Sequence, residues 1–255
     1  MDFLNLIISG VLKMFVGIGT VVNCFAVVFG GIFGLIFKKA LKERFQQTMI
    51  KAMGVAVIFI GAAGALKRLF ALASDKNETI HIVLMVVALA LGAFVGELIN
   101  IQGLTEKFGA FLKEKTGSSN DRDFIDGFVY ASLTVCVGAM AVIGPIEDAL
   151  NRDPSTLFTK AILDFVIIMV MASSKGKGTI FSALPLGVFQ GSITLFAKLI
   201  EPLLNDLAVT NISFIGSMLI FCVGLNLLTD KQVIRVANVL PSLVFIVLFS
   251  YIPIN

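Results

Sequence analysis

Apolar positions in this chain do not recur with the period of a half-exposed soluble helix. They form long apolar blocks separated by short polar joints. A helix needs about 20 mostly apolar residues to cross a bilayer core, and fewer where it breaks inside protein. Eight blocks meet that measure: 16–37, 52–72, 80–99, 124–144, 158–173, 179–203, 212–229 and 236–253. The fourth is expected to stop at Gly144-Pro145, where the proline has no N–H to continue a helix. Residues 3–14 are apolar but carry Asn5 and Lys13, and read as an interfacial helix or a lead-in to the first span. The expected fold is all-α: a polytopic transmembrane helix bundle of about eight spans, some broken, with residues 1–255 forming one integral membrane domain.

Composition agrees with the pattern. Apolar residues make up 57% of the 255 residues and charged residues only 15%, with 23 Phe, 23 Gly and no Trp. A soluble domain carries about 25% charged residues. The mean hydropathy of +0.97 is more than one water-facing globule can hide. The net charge of +3 sits in the joints rather than in a basic stripe interleaved with aromatics, so nucleic acid is not an expected partner. Cys24, Cys136 and Cys222 lie inside apolar blocks with no metal-ligand spacing, and read as small buried hydrophobes. Asp2 stands where a cleavable signal would carry a basic residue.

Charge also orients the chain. With the N-terminus outside, the inward joints hold Lys38, Lys39, Lys42, Arg44 and Lys51, then Lys107, Lys113, Lys115 and Arg122, then Lys175, Lys177, Lys231 and Arg235. These are thirteen of the twenty Lys and Arg. The positive-inside rule therefore favours both termini outside. The joint 38–51 and the stretch LTEKFGAFLKEK within 100–123 read as basic amphipathic segments or as ordinary solvated linkers.

Two blocks open alike. Gly17-Ile18-Gly19-Thr20-Val21-Val22-Asn23 begins the first, and Gly176-Lys177-Gly178-Thr179-Ile180-Phe181-Ser182 begins the sixth. Each then carries a G-x-x-x-G pair, Gly30/Gly34 and Gly187/Gly191, and each has a lysine near its end, Lys38 and Lys198. The second and seventh blocks continue the likeness with Gly54 and Gly61 against Gly216 and Gly224. An odd number of crossings separates the two openings, so the copies would run in opposite directions. The expectation is an inverted repeat with halves 16–99 and 176–253, joined by spans within 124–173.

Four stretches carry a family resemblance: GIGTVVNCFAVVFGGIFGLIFKK (17–39), GAFVGELINIQ (92–102), GFVYASLTVCVGAMAVIGPIEDAL (127–150) and FIGSMLIFCVGLNLL (214–228). With these the chain resembles the bacterial YqgA/YdfK-like membrane proteins, a family defined by sequence and not by an activity. The resemblance implies a bacterial cytoplasmic (inner) membrane protein and supplies no catalytic residues.

Polar groups inside lipid are costly and mark function by default. Gly19, Thr20, Asn23, Gly178, Thr179 and Ser182 are the expected substrate-binding residues. If both G-x-G-T segments start helices, their free N–H groups would face one point and favour an anionic small solute. Tight small-residue packing is the competing reading. Asp164 is a candidate coupling site for a proton or cation, or else an interfacial partner of Lys160 one turn away. Glu97, Glu147, Gln190 and Asn226 are further pathway candidates; for Glu97 a place at the water boundary is the favoured reading. One histidine, His81, among scattered carboxylates gives no metal site, and no cofactor is expected. No P-loop, nucleophile elbow or H-E-x-x-H is present, so an enzyme is not expected. The functional expectation is a small-solute secondary transporter with a midplane site between spans 1 and 6. An ion channel or passive pore, and a non-transporting scaffold, stand as alternatives, and a homo-oligomer suits all three.

Overall fold

The computed structural model describes residues 15–252 except 41, 73–77, 138–139 and 230–231. The segment 3–14 lies outside the described residues. The helices are α1 (Ile18–Ala40), α2 (Glu43–Leu72), α3 (Glu78–Ile99), α4 (Ile101–Lys115), α5 (Phe124–Cys136), α6 (Met140–Asn151), α7 (Ser155–Lys175), α8 (Ala183–Leu195), α9 (Ala197–Ile200), α10 (Asp206–Thr229), α11 (Val236–Val239) and α12 (Ser242–Phe249). Short 3-10 turns precede α8 (Lys177–Ser182) and follow α9 (Glu201–Leu203). Among the described residues the fold is all-α.

Six of these segments are long and apolar enough to cross a membrane: Ile18–Lys38, Arg44–Phe70, Thr79–Ile99, Ser155–Lys175, Lys177–Leu195 and Asp206–Thr229. The pair α5 and α6 would be a seventh, bent by 56°. The eighth expected block forms a shorter apolar helix, Val236–Phe249, interrupted near Pro241.

Glycines set the register between these segments. Gly19 meets Leu157, Gly30 meets the Phe165 backbone and Gly34 meets Met169, so α1 and α7 run parallel. Gly31 meets Ile180, Gly187 faces Cys24 and Gly17 faces Thr194, so α1 and α8 run antiparallel. Gly54 packs on Leu228 and Gly61 on Phe221, so α2 and α10 are antiparallel. Gly92 packs on Ser242 and Gly96 on Asn238, which makes α3 antiparallel to α11 and α12.

These directions have a topological consequence. After α1, α2 and α3 the chain stands at the end where α1 finished. Yet α7 starts beside the start of α1. The bent pair α5–α6 must therefore carry the chain across the bundle rather than turn back within it. The short α11–α12 segment also runs its length beside α10. The Asn226 amide binds Ile234 at one end (2.7 Å), and the Asn211 amide donates to Ser250 at the other (2.9 Å). Tyr251 then donates to the Pro202 carbonyl (2.9 Å).

Three boundaries differ from expectation. The fourth span breaks not at Gly144-Pro145 but after Cys136, where Val137 is extended (φ −89°, ψ 131°), and Pro145 sits inside α6. The carbonyl that Pro145 deprives of a donor is that of Ala141, in the first turn of α6, and the helix continues past it to Asn151. The joint 38–51 is mostly helix, because α2 starts at Glu43 and continues into its span. The sixth block is a 3-10 turn followed by two helices. In that turn the hydroxyls of Thr179 and Ser182 donate to the carbonyls of Gly176 (2.8 Å) and Thr179 (2.7 Å), favouring the tighter winding. The amphipathic stretch forms α4 as expected, with Gly109 against the Phe128 ring.

Candidate functional site

The most unusual chemistry of the fold lies where α1, α7 and α8 meet. Lys160 and Asp164 are four residues apart on α7, hence on one face of the helix. Both are buried, with 6% and 4% of their surface exposed, and Lys160 Nζ lies 2.5 Å from Asp164 Oδ2. Asp164 stands one residue from the middle of its span. Desolvating two charges is costly, and mutual attraction recovers it only when the geometry is good.

α1 presents Thr20 and Asn23 on adjoining turns of one face, and α8 presents Gln190. Asn23 and Gln190 are wholly buried and Thr20 nearly so. The Asn23 amide nitrogen donates to Gln190 Oε1 (3.5 Å), and the register of α1 on α7, with Gly19 on Leu157 and Gly30 on Phe165, sets Asn23 about level with Lys160. Three polar atoms here have no partner: Thr20 Oγ1, Asn23 Oδ1 and Gln190 Nε2. A buried polar atom left unpaired costs about 1–3 kcal/mol. Such atoms are uncommon in protein interiors, and these three lie on the facing elements α1 and α8. Cys24 on α1 is a free thiol facing Gly187 of α8, and Cys136, also free, ends α5 where the fourth span breaks. Broken helices at depth bring unpaired backbone groups to a site.

Other expected site residues sit elsewhere. The two G-x-G-T openings do not face one point. Because α1 and α8 are antiparallel, Ile180 lies against Gly31, twelve residues and ~18 Å along α1 from Gly19. Each opening already faces a carboxylate. Gly19 N–H donates to Asp148 Oδ2 (2.9 Å), and a Cβ at Gly176 would meet Asp121 Oδ2 at 3.0 Å. Gly178 packs on the Phe124 backbone, and the Thr179 and Ser182 hydroxyls bind carbonyls of their own turn. Glu97 is exposed and pairs with Arg235 (2.5 Å) and Asn238. Glu147 accepts from Thr156 (2.6 Å) and ties α6 to α7. Asn226 is consumed by the Ile234 backbone. The i,i+4 pair of Lys160 with Asp164, one of the two sequence expectations for Asp164, forms, and it is buried.

Two grooves flank α1 at opposite ends. The first, about 770 Å³, has Gly17, Thr20, Cys24, Gly191, Thr194 and Leu195 in its lining, so Thr20 joins it to the polar junction. The second, about 500 Å³, has Ile32, Leu35, Ile36, Lys38, Gly176 and Lys177. The offset of 159 residues that carries Gly17 onto Gly176 also carries Ile32 onto Gly191, Leu35 onto Thr194 and Ile36 onto Leu195. The leading glycines share a left-handed backbone as well, with φ of 87° at Gly17 and 82° at Gly176. Four positions of the two linings thus correspond, whereas Thr20, Cys24 and Gly187 of the first groove and Lys38, Asp121 and Lys177 of the second have no counterpart in the other.

Fold and junction together define a polytopic α-helical membrane protein with a charged, incompletely paired centre. The chain belongs to the family described as Protein of unknown function (DUF554), whose model matches residues 18–251. It is similar to the uncharacterized membrane protein YdfK of Bacillus subtilis (strain 168), 34% identical over 225 residues that cover 88% of this chain and 92% of that protein. It is also similar to the uncharacterized protein YqgA of Escherichia coli (strain K12), 27% identical over 230 residues that cover 89% and 93%. No solved structure matches the chain.

Proposed function

We propose that this protein is a secondary transporter of a small polar solute, working by alternating access at the junction of α1, α7 and α8. The observation that carries this reading is the set of three unpartnered buried atoms, Thr20 Oγ1, Asn23 Oδ1 and Gln190 Nε2, beside a buried ion pair. They offer a ligand both donors and acceptors in a place from which lipid and water are excluded. The matching grooves support two access routes, one toward each end of α1. The antiparallel pairing of spans 1, 2 and 3 with 6, 7 and 8 supports an inverted repeat, the arrangement that lets one packing be exchanged for its mirror. Lys38 and Lys177 make the second groove the cytoplasmic one under the positive-inside rule, which keeps both termini outside. The solute site thus rests on Thr20, Asn23 and Gln190 rather than on paired helix starts.

The test is thermal unfolding of detergent-purified protein against amino acids, carboxylates and inorganic ions. A ligand of the folded state must raise its apparent stability. One solute class should stabilise the wild type and lose its effect in Asn23→Ala and Gln190→Ala. A panel that shifts nothing, together with no solute uptake by reconstituted vesicles, sinks the reading.

A further inference from the structure

We infer that the groove at the Lys38 end of α1 is the seat of one anionic glycerophospholipid, its phosphate held by Lys38 and Lys177 and an acyl chain laid along α1. The inference goes beyond the transport reading and does not rest on it.

The groove lies where two apolar segments of opposite direction reach the same membrane boundary. Lys38 is the last residue of the span Ile18–Lys38, and Lys177 is the first of the span Lys177–Leu195. Gly31 meets Ile180, so these two span ends are neighbours, and both lysines line the groove. Its apolar wall is Ile32, Leu35 and Ile36, three and four residues apart on one face of α1. Ile32 is 42% exposed and Ile36 58%, so the chain itself leaves this face uncovered. From Ile32 to Lys38 the helix rises ~9 Å, which sets the apolar wall deeper in the membrane than the cations.

The charged rim is built and only partly paired. Gly176 has a left-handed backbone (φ 82°), and Lys38 Nζ and Asp121 Oδ2 each stand 3.0 Å from where a Cβ on it would lie. Lys38 Nζ donates to the Ser174 carbonyl (3.1 Å) in the last turn of α7. An ammonium has three donors, so two remain for another acceptor. Lys177 is exposed. None of Lys38, Lys177 and Asp121 forms an ion pair among the described residues.

Charge complementarity selects the occupant. Two ammonium groups and one carboxylate give the groove a net positive charge. A headgroup with a single net negative charge balances it, whereas a zwitterionic headgroup leaves it unbalanced. Basic pockets between membrane helices hold lipid headgroups by this attraction. Hydroxyls on the headgroup, as in phosphatidylglycerol, would donate to the Asp121 carboxylate. A free phosphate would use the rim alone and leave the isoleucine wall bare.

The experiment is native mass spectrometry of the detergent-purified full chain, titrated with dioleoyl phosphatidylglycerol or with dioleoyl phosphatidylcholine, which has the same acyl chains. The wild type is expected to hold one phosphatidylglycerol at least about tenfold more tightly than phosphatidylcholine, some 1.4 kcal/mol. Lys38→Gln with Lys177→Gln should erase that preference. Lys107→Gln with Lys113→Gln removes the same charge from α4, outside the groove, and should keep it. Absence of the preference in the wild type, its survival in the groove variant, or its equal loss in the α4 variant overturns the inference. Displacement of the lipid by inorganic phosphate also overturns it, since the groove would then be a site for free phosphate. Should the groove variant fail to fold, Lys177→Gln decides, because Lys177 is exposed and carries no ion pair: a reduced preference supports the seat and an unchanged one overturns it. Solute stabilisation is read in a separate melt, so its absence fails the transport reading alone.

Discussion

Asp164 and Lys160 depend on each other, because either one alone would be a bare charge inside the bundle. Breaking a buried pair from one side costs about 3–5 kcal/mol, whereas replacing both members with apolar groups is often neutral. Asp164→Asn should therefore lower the thermal midpoint sharply, and Asp164→Leu with Lys160→Met should recover most of the loss while solute stabilisation stays absent. A full loss of stability in the double variant as well would show that the pair is not the stabilising unit. Asp148 is a second exposed weakness. Its carboxylate accepts the Gly19 N–H at the start of α1, and a hydrogen bond to a charged group contributes about 1.5–3 kcal/mol. Asp148→Ala, which removes the acceptor, should destabilise by a similar amount, read from the melt. At this scale Asn23, Thr20 and Asp164 were legible in the sequence, since a polar group in an apolar block must have a reason. That Thr179 and Ser182 spend their hydroxyls on their own turn was not, because a 3-10 winding is a local choice made by packing.

The two G-x-x-x-G pairs look alike in the sequence and do different things in the helices. Gly30 and Gly34 bring α1 against the α7 backbone: a Cβ at Gly30 would lie 2.5 Å from the Phe165 carbonyl oxygen, and one at Gly34 would collide with that of Met169. Gly187 meets only the Cys24 thiol, and Gly191 meets nothing within 4 Å. Gly34→Leu should thus cost about 1–3 kcal/mol or more through overpacking, or prevent folding. Gly191→Leu should leave the melt nearly unchanged and abolish solute stabilisation by filling the first groove. Equal damage from both substitutions would mean that the groove is closed by packing. The spacing of four residues announces a smooth helix face, but which neighbour comes to lie on it depends on the partner helix.

At the scale of the whole molecule, the antiparallel partnering of α1 with α8, α2 with α10 and α3 with α12 is what a two-fold relation between halves would produce. It predicts that the grooves open to opposite sides. Thiol reagents should reach Lys177→Cys from the cytoplasmic face and Val16→Cys from the outer face, in inside-out and right-side-out vesicles respectively. Labelling of both from one side would sink the inverted arrangement and the proposed orientation together.

The sequence by itself determined that this is a membrane protein, because 57% apolar residues in blocks of bilayer length leave no soluble alternative. It also determined the near-repeat of Gly17–Asn23 and Gly176–Ser182, and the polar residues that had to be explained. Direction of packing lay beyond it. The parallel register of α1 on α7 sets Asn23 about level with Lys160, and the antiparallel register of α1 and α8 brings Gln190 to Asn23 while holding the two G-x-G-T openings at opposite ends. Hydropathy is blind to these choices, since a lipid-facing and a helix-facing apolar residue read alike. They are settled by which backbones can approach at glycine, and by where a buried polar group finds, or fails to find, its partner.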